Sequence, residues 1–194
     1  MYRTFDGKKW GPIKKLLDNS SPREAKITAP SLLCIEDSLY VFATDFEYER
    51  DPRKVLAHGR SGIAVWKSVN NLLDDPIFKY QKRIDQDYPQ SFDYWHTEFI
   101  YDPYEKLYYS TVTNENGFDL LFGVSKDGFK FKYSTTPLIS FKDKSHSRNL
   151  YKASLVATKD SIYFFYPKRE HDRRAVHIYY SSLNKRELLD TMIN

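Results

Sequence analysis

The sequence predicts an all-β protein, a β-propeller built of four-stranded antiparallel blades. Three observations predict it: short runs rich in β-branched and aromatic residues, turn residues between the runs, and an internal repeat of long period. Aromatic side chains make up 16% of the 194 residues. Gly, Pro, Asn, Asp and Ser recur between the apolar runs, a composition that suits short strands joined by turns. The length fits a single domain, 1–194, with enough chain for a core.

Three segments align when the chain is slid along itself: "TAPSLLCIEDSLYVFAT" from Thr28, "WHTEFIYDPYEKLYYST" from Trp95 and "YKASLVATKDSIYFFYP" from Tyr151. Each reads as a strand, a turn carrying Asp, and a returning strand. A polar loop and a third strand follow: "GIAVWKSVNNL", "DLLFGVSKDGF" and "AVHIYYSSLNK". The first two units add a fourth, weaker run, "IFKYQKRI" and "FKYSTTPLI". With Ser31, Glu98 and Ser154 equivalent, the repeats measure 67 and 56 residues. Consecutive four-stranded meanders of this kind point to propeller blades. The competing reading is a β-sandwich with coincidental similarity.

The blades are expected over about 27–85, 93–140 and 149–194. Residues 1–20, with "TFDGKKWGPIKKLL", look like the tail of a preceding blade, and in the last blade only "LLDTMIN" is available as a fourth strand. Three and a half blades fall short of the four to eight that propellers usually hold. Missing N-terminal blades, pairing of the tail with the last blade, or a partner chain would each complete the ring, because open sheet edges are a liability.

In a blade the first strand is innermost. Side-chain alternation then directs His96 with Glu98, Lys152 with Ser154, and Ala29 with Ser31 toward the entry of the axial pocket. Trp95, Thr97 and Phe99 face the other way, as do Tyr151, Ala153 and Leu155. The loops on the same rim, "TDFEYERDPRKVLAHGRS", "TNENGF" and "PKREHDRRA", are crowded with charge. Turns such as "SKDG" and "YDPYEK" on the opposite rim are simple. This asymmetry suggests a ligand face near Asp45, Glu47, Asn114, Glu115, Lys168 and Arg169, although each alone also reads as an ordinary solvated loop residue.

Several function classes find no support. The net charge of +4 is spread along the chain and names no polyanionic partner. "PKREHDRR" beside Tyr163, Phe164 and Phe165 reads better as a solvated rim loop than as a nucleic-acid patch, because those aromatics alternate along a strand. Five histidines, at 58, 96, 146, 171 and 177, show no zinc spacing, so no metal is expected. There is no Gly-rich phosphate loop and no GxSxG elbow, and no cofactor is expected. The single cysteine, Cys34, lies in an apolar run and reads as a buried structural thiol. No run of about eighteen apolar residues and no apolar leader segment is visible, so the chain as written is expected to be soluble. Its compartment stays open between cytoplasmic and, if N-terminally truncated, secreted.

The blade opening "TAPSLLCIEDSLYVFAT", the strand exit "GVSKDGFKF" and the later opening "LYKAS" resemble motifs of the five-bladed propeller glycoside hydrolases, families 32, 43, 62 and 68. The resemblance runs from about Phe5 to Ser182. It implies a five-bladed propeller, a carbohydrate ligand, and a general-acid Glu at the start of an innermost strand, where Glu98 stands in "WHTEF". A carboxylic acid beside aromatic walls is desolvated and can hold a proton for a departing glycosidic oxygen. Trp95, His96, Ser31, Tyr151, Lys152 and Ser154 are then the expected substrate-binding residues. Hydrolysis needs a second carboxylate. Here Ser31 occupies the position equivalent to Glu98 in the first blade, which leaves Asp45, Asp93 and Asp119 as stand-ins. The same residues also suit a noncatalytic carbohydrate-binding or surface- or phage-associated propeller module, or a Glu98 simply salt-bridged to Lys152.

Overall fold

The computed structural model describes residues 27–36, 38–45, 62–70, 77–84, 94–114, 119–140, 150–169 and 176–193. The tail at 1–20, Glu47, Asp93, Glu115 and most of the charged rim loops lie outside the described residues.

Within the described residues the chain forms three antiparallel sheets in sequence order. The first is a meander of β1 (Ile27–Ile35), β2 (Ser38–Asp45), β3 (Gly62–Ser68) and β4 (Phe78–Ile84). The second contains β5 (Tyr94–Asp102), β6 (Leu107–Asn114), β7 (Asp119–Ser125) and β8 (Lys132–Tyr133), with β9 (Ile139–Ser140) also pairing β7. The third contains β10 (Ser154–Ala157), β11 (Ser161–Arg169) and β12 (Val176–Asn184). The first strands β1, β5 and β10 are neighbours in that order, the arrangement of inner strands around a propeller axis.

Alternation explains how each blade buries two faces. Along β2, Tyr40 and Phe42 join Leu33, Ile63, Val65, Phe99, Val112 and Leu121 in a core between the first and second blades. Val41 and Ala43, one residue out of phase, join Ala64 and Trp66 on the opposite face of the same sheet. Along β6, Tyr108 goes to the first core and Tyr109 to a second core with Leu120, Phe122, Leu155, Ile162 and Phe164, between the second and third blades. The far face of the third blade is exposed and apolar, with Ile178 at 75% and Tyr180 at 69%.

The turn Ser125–Gly128 closes on itself. Asp127 Oδ1 accepts the amides of Phe129 and Lys130 at 2.8 Å each, and the Ser125 hydroxyl donates to it at 2.9 Å. These bonds hold the Asp127 carboxyl below the usual carboxylate range against the opposing effect of burial. Gly128 is needed there because its φ of 75° lies in the left-handed region that strains other residues.

Two expectations change. "LLDTMIN" does not supply a fourth strand, because Lys185–Ile193 is a helix, α1. Asn184 Oδ1 accepts the amide of Glu187, an N-cap, and Leu188, Leu189 and Met192 pack into the second core at helical spacing. Cys34 is exposed, with its thiol donating to the Glu36 carbonyl at 3.2 Å. Leu33 and Ile35 take the inner face of β1, so alternation turns Cys34 outward.

Candidate active site

The inner strands of the first two blades each carry an irregularity near their start. In β1, Thr28 pairs Thr44 and Ser31 pairs Phe42, so one extra residue bulges at Ala29 and Pro30. In β5, Tyr94 pairs Asn114 and His96 pairs Thr113, so Trp95 is the extra residue. Ala29 adopts φ 49°, a conformation that side chains other than Gly seldom take. Bulges re-aim side chains and recur beside functional sites, and these two stand within two positions of each other in the repeat of consecutive blades.

Beyond the bulge, β5 presents Glu98. Its Oε2 lies 2.8 Å from Lys152 Nζ, with the two side chains 20% and 27% exposed. Lys152 also donates to the Pro30 carbonyl at 3.5 Å, so one ammonium touches all three blades' inner segments. His96 is buried, and its ring centroid is 4.1 Å from that of Tyr151. Burial, with the neighbouring Lys152 charge second, lowers the imidazole from 6.5 to about 4. At neutral pH His96 is therefore uncharged.

The structure brings together Glu98, Lys152, His96 and Tyr151. Tyr151 is 64% exposed and turned onto His96, whereas alternation put it with Ala153 and Leu155 on the other face. Alternation does not govern it because strand pairing begins only at Ser154. Ser31 is 5% exposed, and its Oγ accepts the Phe99 amide at 3.1 Å, binding the first blade to the second at the axis. Ser154 is exposed at the head of β10. Trp95 lies in the β5 bulge and Asp45 at the rim end of β2, where it pairs Ile27 and Gly62; the side chains of both lie outside the described set.

Two other carboxylates are committed elsewhere. Asp119 accepts the Ser140 hydroxyl at 2.6 Å, tying β9 to β7. Asp102 is fully buried four residues along β5 from Glu98, roughly 13 Å away at the rise of an extended strand. It contacts Lys185 Nζ at 2.6 Å and accepts the Tyr109 hydroxyl at 2.9 Å. Among the described residues no group of three His, Cys, Asp or Glu side chains is arranged to hold a metal.

Two residues that matter here escaped the sequence reading. Thr113, buried on β6 opposite His96, donates to the Tyr151 carbonyl at 2.9 Å. Lys185 reaches from the helix to the second blade. The Asn184-x-x-Glu187 spacing, a capping signal, was the available pointer to that helix.

No protein-family model and no curated protein matches the chain. Solved structures do. An N-acetylgalactosamine deacetylase from F. plautii, in complex with blood group B trisaccharide, superposes with a TM-score of 0.65 at 14% identity, over 89% of this chain and 54% of its own. A thermostable family-43 glycoside hydrolase gives 0.57 at 20% identity, over 82% and 49%. Trypanosoma rangeli sialidase gives 0.52 at 11%, over 91% and 29%. The chain spans about half the length of the first two. Likeness at such identities is likeness of fold: the three sheets are blades of a β-propeller.

Proposed function

We propose that this chain is a carbohydrate-active propeller that binds a poly- or oligosaccharide at its axial pocket, with Glu98 as the general acid of glycoside hydrolysis. The observation that carries the reading is the half-buried Glu98–Lys152 pair beside the His96–Tyr151 rings, at the bulged entry of the inner strands. A carboxylate and an ammonium side by side offer an acceptor and a donor to sugar hydroxyls, and an exposed aromatic ring offers a stacking face. Trp95, Ser31 and Ser154 are the further binding residues of this reading, and Asp45 or Asp93 is its second carboxylate.

One observation favours a second reading, a binding propeller without turnover. Glu98 is engaged as a charge with Lys152, while Asp102 and Asp119 are spent on structural contacts. Hydrolysis requires a partner carboxylate within about 5 to 10 Å of the acid.

The test is release of reducing sugar from a panel of plant and bacterial polysaccharides and aryl glycosides, by wild type and Glu98→Gln, with calorimetric binding in parallel. Release by wild type that collapses at least a hundredfold in Glu98→Gln supports the hydrolase. Binding without release supports the binding module. Neither binding nor release, from a folded protein, refutes both.

A further inference from the structure

We propose that Thr113 is the positioning residue of this pocket, its hydroxyl fixing the Tyr151–Lys152 segment against the second blade and thereby setting the groups that meet the sugar. The inference rests on the carbohydrate reading of the site.

Residues 151–153 lead into β10 but belong to no strand, and the ladder with β11 starts at Ser154. No main-chain ladder therefore places Tyr151 or Lys152. The Thr113 hydroxyl, 1% exposed, donates to the Tyr151 carbonyl at 2.9 Å. The His96 carbonyl, at 3.5 Å, is a second acceptor for the same proton, and the shorter contact takes it. Other ties of the segment among the described residues are the Tyr151 ring on His96, the contacts of Lys152 with Glu98 and the Pro30 carbonyl, and the burial of Leu150 and Ala153 on either side. A partly exposed ion pair holds geometry weakly. A buried hydroxyl on a paired strand holds it well, because the alternative is a desolvated orphan.

Two variants separate the hydroxyl from the shape of the residue. Thr113→Val keeps the shape and removes the donor, whereas Thr113→Ser keeps the donor. Among the described residues, Tyr151 faces the His96 ring and the Lys152 charge, paired with Glu98, lies near it. Titration of the His96 ring by NMR reads their placement without any ligand. In Thr113→Val the His96 midpoint is expected to rise from about 4 toward 6.5, and affinity for a glycan bound by wild type to fall about tenfold, the size of one buried hydrogen bond. Thr113→Ser is expected to match wild type in both.

A Thr113→Val protein with the wild-type His96 midpoint and wild-type affinity overturns the inference and leaves the carbohydrate reading standing. A shifted midpoint, with no glycan bound even by wild type, overturns the carbohydrate reading and keeps the positioning role. Should Thr113→Val not fold, the wild type decides. A slowly exchanging Thr113 hydroxyl proton close to the Tyr151 backbone supports the inference, and a freely exchanging one overturns it.

Discussion

Replacing Lys185 by Met tests how the third blade is attached to the second. Lys185 Nζ and Asp102 Oδ2 stand 2.6 Å apart with side chains 3% and 0% exposed, meeting as charges at close range and not along a directed hydrogen bond. The ammonium also sits 5.2 Å over the Tyr104 ring. Methionine preserves the length of the stem and removes the charge, leaving a buried carboxylate with no counter-charge. Loss of one partner of a buried pair costs about 3–5 kcal/mol. Asp102 keeps the Tyr109 hydroxyl at 2.9 Å and the Tyr104 amide at 3.0 Å, which places the expected loss near the lower end, about 3 kcal/mol. For a domain of this size that is a fall in Tm of about 10 °C. Urea unfolding of wild type, Lys185→Met, Asp102→Asn and the double variant gives the coupling directly. The double variant is expected within about 1 kcal/mol of wild type, because no uncompensated charge remains. A loss below about 1 kcal/mol in Lys185→Met, or strictly additive single losses, would show that the pair is worth no more than a surface contact and refute the reasoning.

Three further outcomes follow from the same geometry. Ser31→Ala removes the acceptor of the buried Phe99 amide and is expected to lower unfolding stability by about 1–3 kcal/mol, while Ser31→Thr keeps an acceptor and loses less. Gly123→Ala places a Cβ 2.6 Å from the Tyr133 ring, whose hydroxyl is held by Ser110 at 3.0 Å, so overpacking of about 1–3 kcal/mol is expected by thermal unfolding. His96 titrates at about 4 when folded against 6.5 for the free group, so between those values the unfolded chain binds more protons. The His96 contribution to stability is then complete above about pH 6.5 and is lost as pH falls toward about 4. Urea midpoints measured across that window are expected to fall for wild type and to lose this component in His96→Gln.

The blades were legible because two periodicities coincide in this chain. Alternation along pairs such as Tyr40–Val41 and Tyr108–Tyr109 sends neighbours into different cores, and the repeat of Ser31, Glu98 and Ser154 sets the three inner strands in register. Alternation fails where pairing fails. It misplaced Tyr151 because residues 151–153 lie ahead of the β10 ladder, and it could not show that β1 and β5 each carry an extra residue before Ser31 and Glu98. Cys34 was set in the core from the apolar run around it and not from alternation, by which the phase of Leu33 and Ile35 turns it out. The helix at 185–193 was missed because its apolar residues are few and sit directly after a strand, so only the cap at Asn184 marks the change. Long-range contacts left no local trace: Lys152 meets Glu98 from the next blade, and Lys185 meets Asp102 across 83 positions of sequence.

The Glu98–Lys152 pair decides what chemistry the pocket can begin with. An ion pair needs the carboxylate charged, and a general acid needs it protonated, so the contact at 2.8 Å describes a resting arrangement unfit for proton donation. On the proposed reading, a sugar hydroxyl that inserts between the two groups accepts from Lys152 and donates to Glu98, separating the charges. Substrate entry then breaks the pair, and His96, uncharged at neutral pH, adds no cation beside it. Lys152→Met separates this from simple holding. If the pair restrains the acid, the variant loses affinity through the missing donor while hydrolysis at saturating substrate stays near wild type or rises. If Lys152 supports the reacting charge, kcat falls with affinity, and restraint by the pair is wrong.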